Sequence, residues 1–277
     1  MEEFNPDLIK KLYKPNDRVS KRENGQVTII GGSSLFHGAP LLSLKAASRI
    51  VGMVYFSSPE KSVGEVANKL KSSLLSFIWV PWEEVGEYIK KSDSVLIGPG
   101  FMRYRSEKEG DNGFCDPFCI ETENITKELL TKYPNKKWVI DAGSLQLLKK
   151  EWIPENAILT PNTKEYKMLF GDEEVSKVAK KNNCIIVYKT AKATVCSPQK
   201  CVEIGNGNEG LIKGGTGDTQ AGLTVALLAK NDPFLAASVA TYVVKKTADK
   251  LFETRGTFYS ADDLADKIPE IFYSLLK

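Results

Sequence analysis

The sequence predicts an α/β fold in which a mostly parallel central sheet carries helices on both faces. Three observations lead there. Short apolar runs without strict alternation recur along the 277 residues, the pattern of strands buried on both sides. Stretches with helical spacing separate most of these runs, as βαβ units require. Apolar residues make up 42% of the chain, enough for a sizeable core and too many for a disordered chain. Residues 1–277 read as one domain with a short helical extension over 1–20, because no low-complexity linker or internal repeat divides them.

The elements follow in order. VTII (27–30) is a strand ending in Gly31-Gly32, and 39–50 has helical spacing. Strands are expected at 53–57 and 76–80, a helix from Glu83 to Lys91, and a strand over 94–100 that runs into a turn. The polar segment from Phe101 to Glu123 reads either as a lid or as a plain surface insertion. A helix over 125–133 leads to strands at 137–143 and 157–162. Further helical segments precede CIIVYK (184–189) and two short β runs at 194–196 and 201–204. Two apolar helices follow Asp218. Asp232-Pro233 supplies an N-cap and N1 pair, and Ser260 with Asp263 a capping box opening a final amphipathic helix.

A net charge of +3 does not argue for nucleic acid, and no basic run is interleaved with aromatics. No apolar stretch is long enough to span a bilayer, and the charged N-terminus has no signal-peptide core. The five cysteines show no disulfide spacing and read as reduced thiols of a cytoplasmic protein. Cys115 and Cys119 lack a second ligand pair for a metal site, and no resident metal is expected. His37 is the single histidine, so no catalytic triad can form. It lies near the expected crevice, either as a substrate contact or as a solvent-facing loop residue. The four tryptophans, Trp79, Trp82, Trp138 and Trp152, read as packing residues.

The strongest local signal is the run from Gly207 to Asp218, Gly-Asn-Glu-Gly-Leu-Ile-Lys-Gly-Gly-Thr-Gly-Asp, directly before an apolar helix. Glycines let the backbone turn sharply and expose consecutive N–H groups. The helix start adds unpaired donors and partial positive charge, which together make an anion hole for phosphate. Asp218 falls in the first helical turn, where a carboxylate can take a proton from a hydroxyl attacking phosphorus. The competing reading is a tight turn with an ordinary helix-start aspartate. Other expected strand ends are also small or polar: Gly31-Gly32-Ser33, Gly98-Pro99-Gly100, Asp141-Ala142-Gly143 and Thr160-Pro161-Asn162. Ligands of open α/β sheets bind outside such ends.

In this order the blocks resemble those of the ADP/ATP-dependent NAD(P)H-hydrate dehydratases, ribokinase-like enzymes that repair hydrated nicotinamide cofactors. The resemblance rests on Gly31-Gly32-Ser33, Gly38-Ala39-Pro40, Gly98-Pro99-Gly100, Asp141-Ala142, Leu159-Thr160-Pro161 with Glu165, the run from Asn208 to Asp218, and Ala221-Gly222. It implies a ribokinase-like three-layer α/β/α sandwich. It implies that Ala39, Gly100 and Asn162 touch hydrated NADH or NADPH. Lys189, Thr190, Ala191, Lys192 and Ala193, with Asn208, Gly215, Thr216 and Gly217, would hold the nucleotide donor, and Asp218 would act on the substrate hydroxyl. ATP or ADP with Mg²⁺ are the implied cofactors, and a homo-oligomer the implied assembly. The epimerase that usually accompanies this activity is expected to be absent, since no such domain fits before residue 25.

Departures fall on the substrate side. Asn162 stands where the family has histidine, Gly143 where it has a second aspartate, and Lys189-Thr190 where it has Lys-Gly. Lys213 replaces a small residue and reads as either a phosphate partner or a solvated side chain. Two other functions stay open: a small-molecule kinase of the same superfamily, and a nucleotide-binding regulator without turnover.

Overall fold

The computed structural model describes residues 1–16, 18, 20–103 and 115–277. Residues 104–114 of the expected lid segment lie outside them. The strands are β1 (Glu2–Glu3), β2 (Gln26–Ile30), β3 (Met53–Ser57), β4 (Ile78–Trp79), β5 (Ser94–Ile97), β6 (Lys137–Ile140), β7 (Ile158–Leu159), β8 (Ile185–Tyr188), β9 (Ala193–Cys196) and β10 (Cys201–Ile204). They form one sheet in the order β1-β10-β9-β8-β7-β6-β5-β2-β3-β4. Pairing is parallel from β4 through β8, β9 runs antiparallel to both its neighbours, and β1 joins β10 in parallel. The chain leaves β2 toward β3 and β4, then returns to β5 on the other side of β2. The strand order therefore reverses between β2 and β5, where a crevice opens.

Two helix layers cover the sheet. One holds α1 (Gly38–Ala47), α2 (Lys61–Leu70), α8 (Thr216–Leu228), α9 (Pro233–Arg255) and α10 (Ala261–Leu276), whose apolar side chains meet Val27, Ile29, Phe56, Leu96 and Val139. The other holds α3 (Val85–Lys91), α4 (Pro117–Lys132), α5 (Ala142–Gln146), α6 (Thr163–Phe170) and α7 (Val175–Lys181), which meet Ile30, Val95, Ile97, Trp138 and Ile140. Successive residues of each strand thus serve opposite cores, which explains why the strands read as continuous apolar runs.

The helix-start signals act as expected. Asp232 accepts from the Leu235 amide with Pro233 at the first helical position, and Ser260 and Asp263 complete a capping box. The irregular reading from 101 is corrected at its end: α4 begins at Pro117, with Asp116 accepting from the Cys119 amide at 2.9 Å. The expected strand at 76–80 shortens to the edge pair β4. Strand β1 escaped the sequence because a Glu-Glu pair carries no apolar signal.

The thiol expectation is also corrected. Cys115 pairs with Cys119 and Cys196 with Cys201, leaving Cys184 as the free, buried cysteine. The β9–β10 register puts Cys196 directly opposite Cys201, and the entry into α4 brings its two cysteines within 5.2 Å, Cα to Cα. Among the described residues no helix is long and apolar enough to cross a membrane.

Candidate active site

A cavity of about 1030 Å³ opens at the carboxyl ends of β5 to β8 and is closed on one side by the start of α8. Its position follows from the reversal of strand order. There the chain is pressed tightly together: a Cβ added to Gly31 would sit 2.1 Å from the Pro99 carbonyl oxygen. All the sequence-predicted site residues except Lys192 line this cavity: Ala39, Gly100, Asn162, Lys189, Thr190, Ala191, Ala193, Asn208, Gly215, Thr216, Gly217 and Asp218. Lys192 is exposed away from the wall. Its carbonyl accepts the Thr190 hydroxyl, so the longer Lys189–Ala193 segment is a turn closed by its own threonine.

The start of α8 is built to expose N–H groups. Gly215 is its N-cap, in the left-handed region at φ 91°, and supplies no side-chain acceptor. The Thr216 amide makes only a long bond to the Lys213 carbonyl, at 3.4 Å, and no side chain caps the amides that follow, so the helix keeps the positive end of its dipole. The helix is held in place from behind, where the Ser43 hydroxyl of α1 donates to the Asp218 carbonyl at 2.7 Å. Asn208 adds a further donor. Its Oδ1 accepts from the Gly210 amide at 3.0 Å and from the Tyr259 hydroxyl at 2.8 Å, which fixes the orientation of the amide. Its Nδ2 is buried and has no partner, a costly arrangement unless an acceptor arrives. Exposed helix amides and an unpartnered donor fit a phosphate group.

Charge concentrates at the far side of that anion hole. Asp141, 2% exposed at the end of β6, accepts from the Thr160 hydroxyl at 2.7 Å and from Lys189 Nζ at 2.9 Å. The same ammonium lies 3.3 Å from the point where a Cβ on Gly217 would be. Lys189 thus sits between Asp141 and the start of α8. Burial alone would lower its pKa, but Asp141, Glu165 and Asp218 together hold it above the ordinary value. Asp218 shows the opposite balance. Burial, then the charge of Asp141, pushes its carboxyl up to about 7; Glu165 adds to this, and Lys189 opposes it. A carboxylate with that pKa is matched to proton transfer near neutrality.

Several sequence departures find local reasons. Asn162 caps α6: its Oδ1 accepts from the Glu165 amide and Glu165 returns the bond to the Asn162 amide, each at 2.9 Å. Gly143 is enforced by packing, since a Cβ there would meet the Phe101 carbonyl oxygen at 2.5 Å. Lys213 is exposed and lines the cavity. Its ammonium donates to the carbonyls of Thr257 and Tyr259, tying the loop before α8 to the entry of α10. His37 lines the cavity and bonds Ser62 Oγ at 3.1 Å. The tryptophans are packing residues as expected, with Trp138 fully buried and Trp79 edge-on to Phe56.

The sequence reading missed Asp141 as a site residue, and it missed Lys245. The signal for Lys245 was present: it shares a helical face with Thr241 and Ala248, both buried. A test of the anion hole is Gly217→Val. The branched side chain would fill the space beside Lys189 Nζ, and nucleotide affinity should fall at least about 30-fold, or 2 kcal/mol, in calorimetric titration. Unchanged affinity would place the phosphates elsewhere.

Comparison with known proteins gives a family and a shared fold. The family described as NAD(P)H-hydrate dehydratase matches residues 27–270. The bifunctional NAD(P)H-hydrate repair enzyme Nnr of Methanocaldococcus jannaschii is 32% identical over 271 residues, covering 95% of this chain and 51% of that protein. The chain thus spans about half the length of that relative. Among solved structures, a ribokinase-like superfamily protein from Enterococcus faecalis superposes with a TM-score of 0.82 at 20% identity, covering 99% of this chain and 96% of the other. The ADP/ATP-dependent NAD(P)H-hydrate dehydratase of Bacillus subtilis, co-crystallised with ATP/Mg²⁺, gives 0.80 at 20% identity, covering 99% and 98%. The α/β architecture expected from the sequence is the fold these structures share.

Proposed function

Because the chain belongs to the NAD(P)H-hydrate dehydratase family, we propose that it dehydrates hydrated NADH and NADPH at the expense of ATP or ADP. The observation that carries this reading is the placement of Asp218, with its carboxyl pushed up to about 7, in the first turn of an uncapped helix that opens on the cavity. Bacillus subtilis ADP/ATP-dependent NAD(P)H-hydrate dehydratase, with the same fold, supports the choice of donor.

The residues act as follows in this reading. Ala39, Gly100 and Asn162 line the part of the cavity that takes the hydrated dinucleotide. Thr190, Ala191, Ala193 and Asn208 border the donor. Asp218 takes the proton of the ring hydroxyl as its oxygen attacks the terminal phosphorus of the donor, and the bond from that phosphorus to the bridging oxygen breaks. The α8 amide of Gly217 and the Lys189 ammonium offset the charge on the transferred group. The carbon–oxygen bond of the ring then breaks, phosphate leaves with the electron pair, and a proton lost from the neighbouring carbon restores the double bond. Hydroxide is a poor leaving group and phosphate a good one, so an anion hole of kinase type serves an elimination.

Mg²⁺ belongs to this reading as a companion of the donor phosphates, for which one or two carboxylates suffice. Glu209 lines the cavity beside Asn208, and the ion would supply charge neutralisation there. Residues 1–277 act as one domain: β1 extends the sheet at β10, and both cores share that sheet. Homo-oligomerisation is supported by the apolar side chains of Ile212 and Phe258, 84% and 89% exposed. A cytoplasmic location completes the reading, as for enzymes that meet the soluble cofactor pool.

The test is a direct assay. Hydrated NADH is mixed with protein, Mg²⁺ and either ATP or ADP, and the reduced-nicotinamide absorbance followed. Recovery of that absorbance with release of phosphate is expected. A stable phosphorylated product would instead point to a kinase, and binding without turnover to a regulator. The pH profile gives a second check. With Asp218 required as the carboxylate, kcat/KM should drop about tenfold per pH unit below about 7 and level off above it. A profile flat from pH 5.5 to 8 would remove Asp218 as the base.

A further inference from the structure

We propose that Lys245 and Asp249, one turn apart on α9, form a clamp that fixes the two backbone segments bordering the donor nucleotide. The proposal rests on the donor reading above, since the clamped segments carry Thr190, Ala191 and Asn208. Lys245 is 7% exposed, and an interior ammonium must find partners. It donates to the carbonyl oxygens of Ala191 at 2.6 Å and Asn206 at 2.7 Å, with a longer contact to Thr190 at 3.5 Å. An ammonium has three protons and no acceptor. These carbonyls therefore occupy it, and no proton remains for a phosphate oxygen. Lys245 is a positioning residue although it lines the cavity.

Asp249 supplies the second prong by accepting from the Gly207 amide at 3.0 Å. Gly207 is in the left-handed region at φ 101°, and a Cβ there would come 3.1 Å from Lys245 Cγ. The chain after β10 thus bends closely around the lysine stem. One clamped segment joins β8 to β9, and the other follows β10 toward α8. Residues 190–191 and 206–207 are held at a fixed separation by the two side chains of α9. Asn208, with its unpartnered Nδ2, directly follows the second segment.

The experiment uses the full chain with Lys245→Met and, as a milder variant, Asp249→Ala, whose parent side chain is half-buried. In the nucleotide-free protein, hydrogen exchange over 189–193 and 205–208 should speed up at least tenfold in Lys245→Met. In Asp249→Ala the change should be confined to 205–208. Titration with AMP, ADP and ATP should show Kd rising at least tenfold, by the same factor for all three. kcat at saturating donor and KM for the hydrated cofactor should stay within threefold of wild type. Wild-type exchange in both segments would overturn the clamp. A penalty that grows from AMP to ATP would overturn it too, by showing direct contact with the phosphates. Equal collapse of kcat and both KM values would reduce the pair to general structural support. If wild-type protein binds none of the three nucleotides, the donor reading fails and the exchange data alone decide the clamp. If Lys245→Met does not fold, Asp249→Ala carries the test at 205–208.

Discussion

Replacing Asp218 by asparagine should lower turnover about 10³-fold, within the range that a positioned general base supplies, and should make the nucleotide-free protein more stable. Asparagine keeps the size of the side chain, so nucleotide affinity should change little. The gain in stability follows from the displaced ionisation. The folded carboxyl titrates at about 7 against an ordinary value of 3.8, so between those values the folded state holds a proton that the unfolded chain has released. Wild-type stability therefore falls as pH rises through that window, and the loss is complete above about 7. The variant does not ionise and escapes that loss. Its advantage should be nil near pH 4 and reach a plateau above pH 7 of at most about 5 kcal/mol, taking about 1.4 kcal/mol per unit. Urea unfolding at pH 4.5 and pH 8 measures it. A variant no more stable than wild type at pH 8, or one keeping a tenth of the rate, would contradict this account of the carboxylate.

Gly222→Ala should unfold much of the same machinery without touching the cavity. A Cβ at this position would lie 2.2 Å from the Ser43 carbonyl oxygen and 2.5 Å from Ser43 Cα. Both are backbone atoms of α1 and cannot turn aside as a flexible side chain can. The helices must separate, and α1 is the helix whose Ser43 hydroxyl anchors the Asp218 carbonyl. Overpacking of this kind costs about 3 kcal/mol, which for a chain of this size lowers the thermal midpoint by roughly 6–12 °C. Activity should fall along with stability, since a shift of α8 by about 1 Å misplaces the attacking geometry. A midpoint within about 2 °C of wild type would mean that the two helices are not in this contact.

The alternation of apolar runs with helical spacing gave the sheet and both helix layers, because a strand serving two cores must be apolar throughout. The site was legible where the backbone itself does the chemistry: glycines before a helix, with an acid in its first turn, announce an anion hole whatever the rest of the chain does. Side chains acting through distant partners were not legible. Asp141 reads as an ordinary strand-end residue until Lys189, far along the sequence, is seen bonded to it. Lys213 could not be assigned because its acceptors, the Thr257 and Tyr259 carbonyls, carry no side-chain signature. The cysteines misled for the same reason, since only the β9–β10 register shows that Cys196 faces Cys201.

The cavity wall draws on residues from Leu35 to Lys245, so no contiguous half of the chain contains it. A nascent chain grown to Ile204 holds the residues of every described strand yet lacks α8 and α9. Growing at about 5–20 residues per second, it completes Asp218 and its supports only after the described strands have all been made. Products that stop before α8 should therefore be silent toward donor nucleotide.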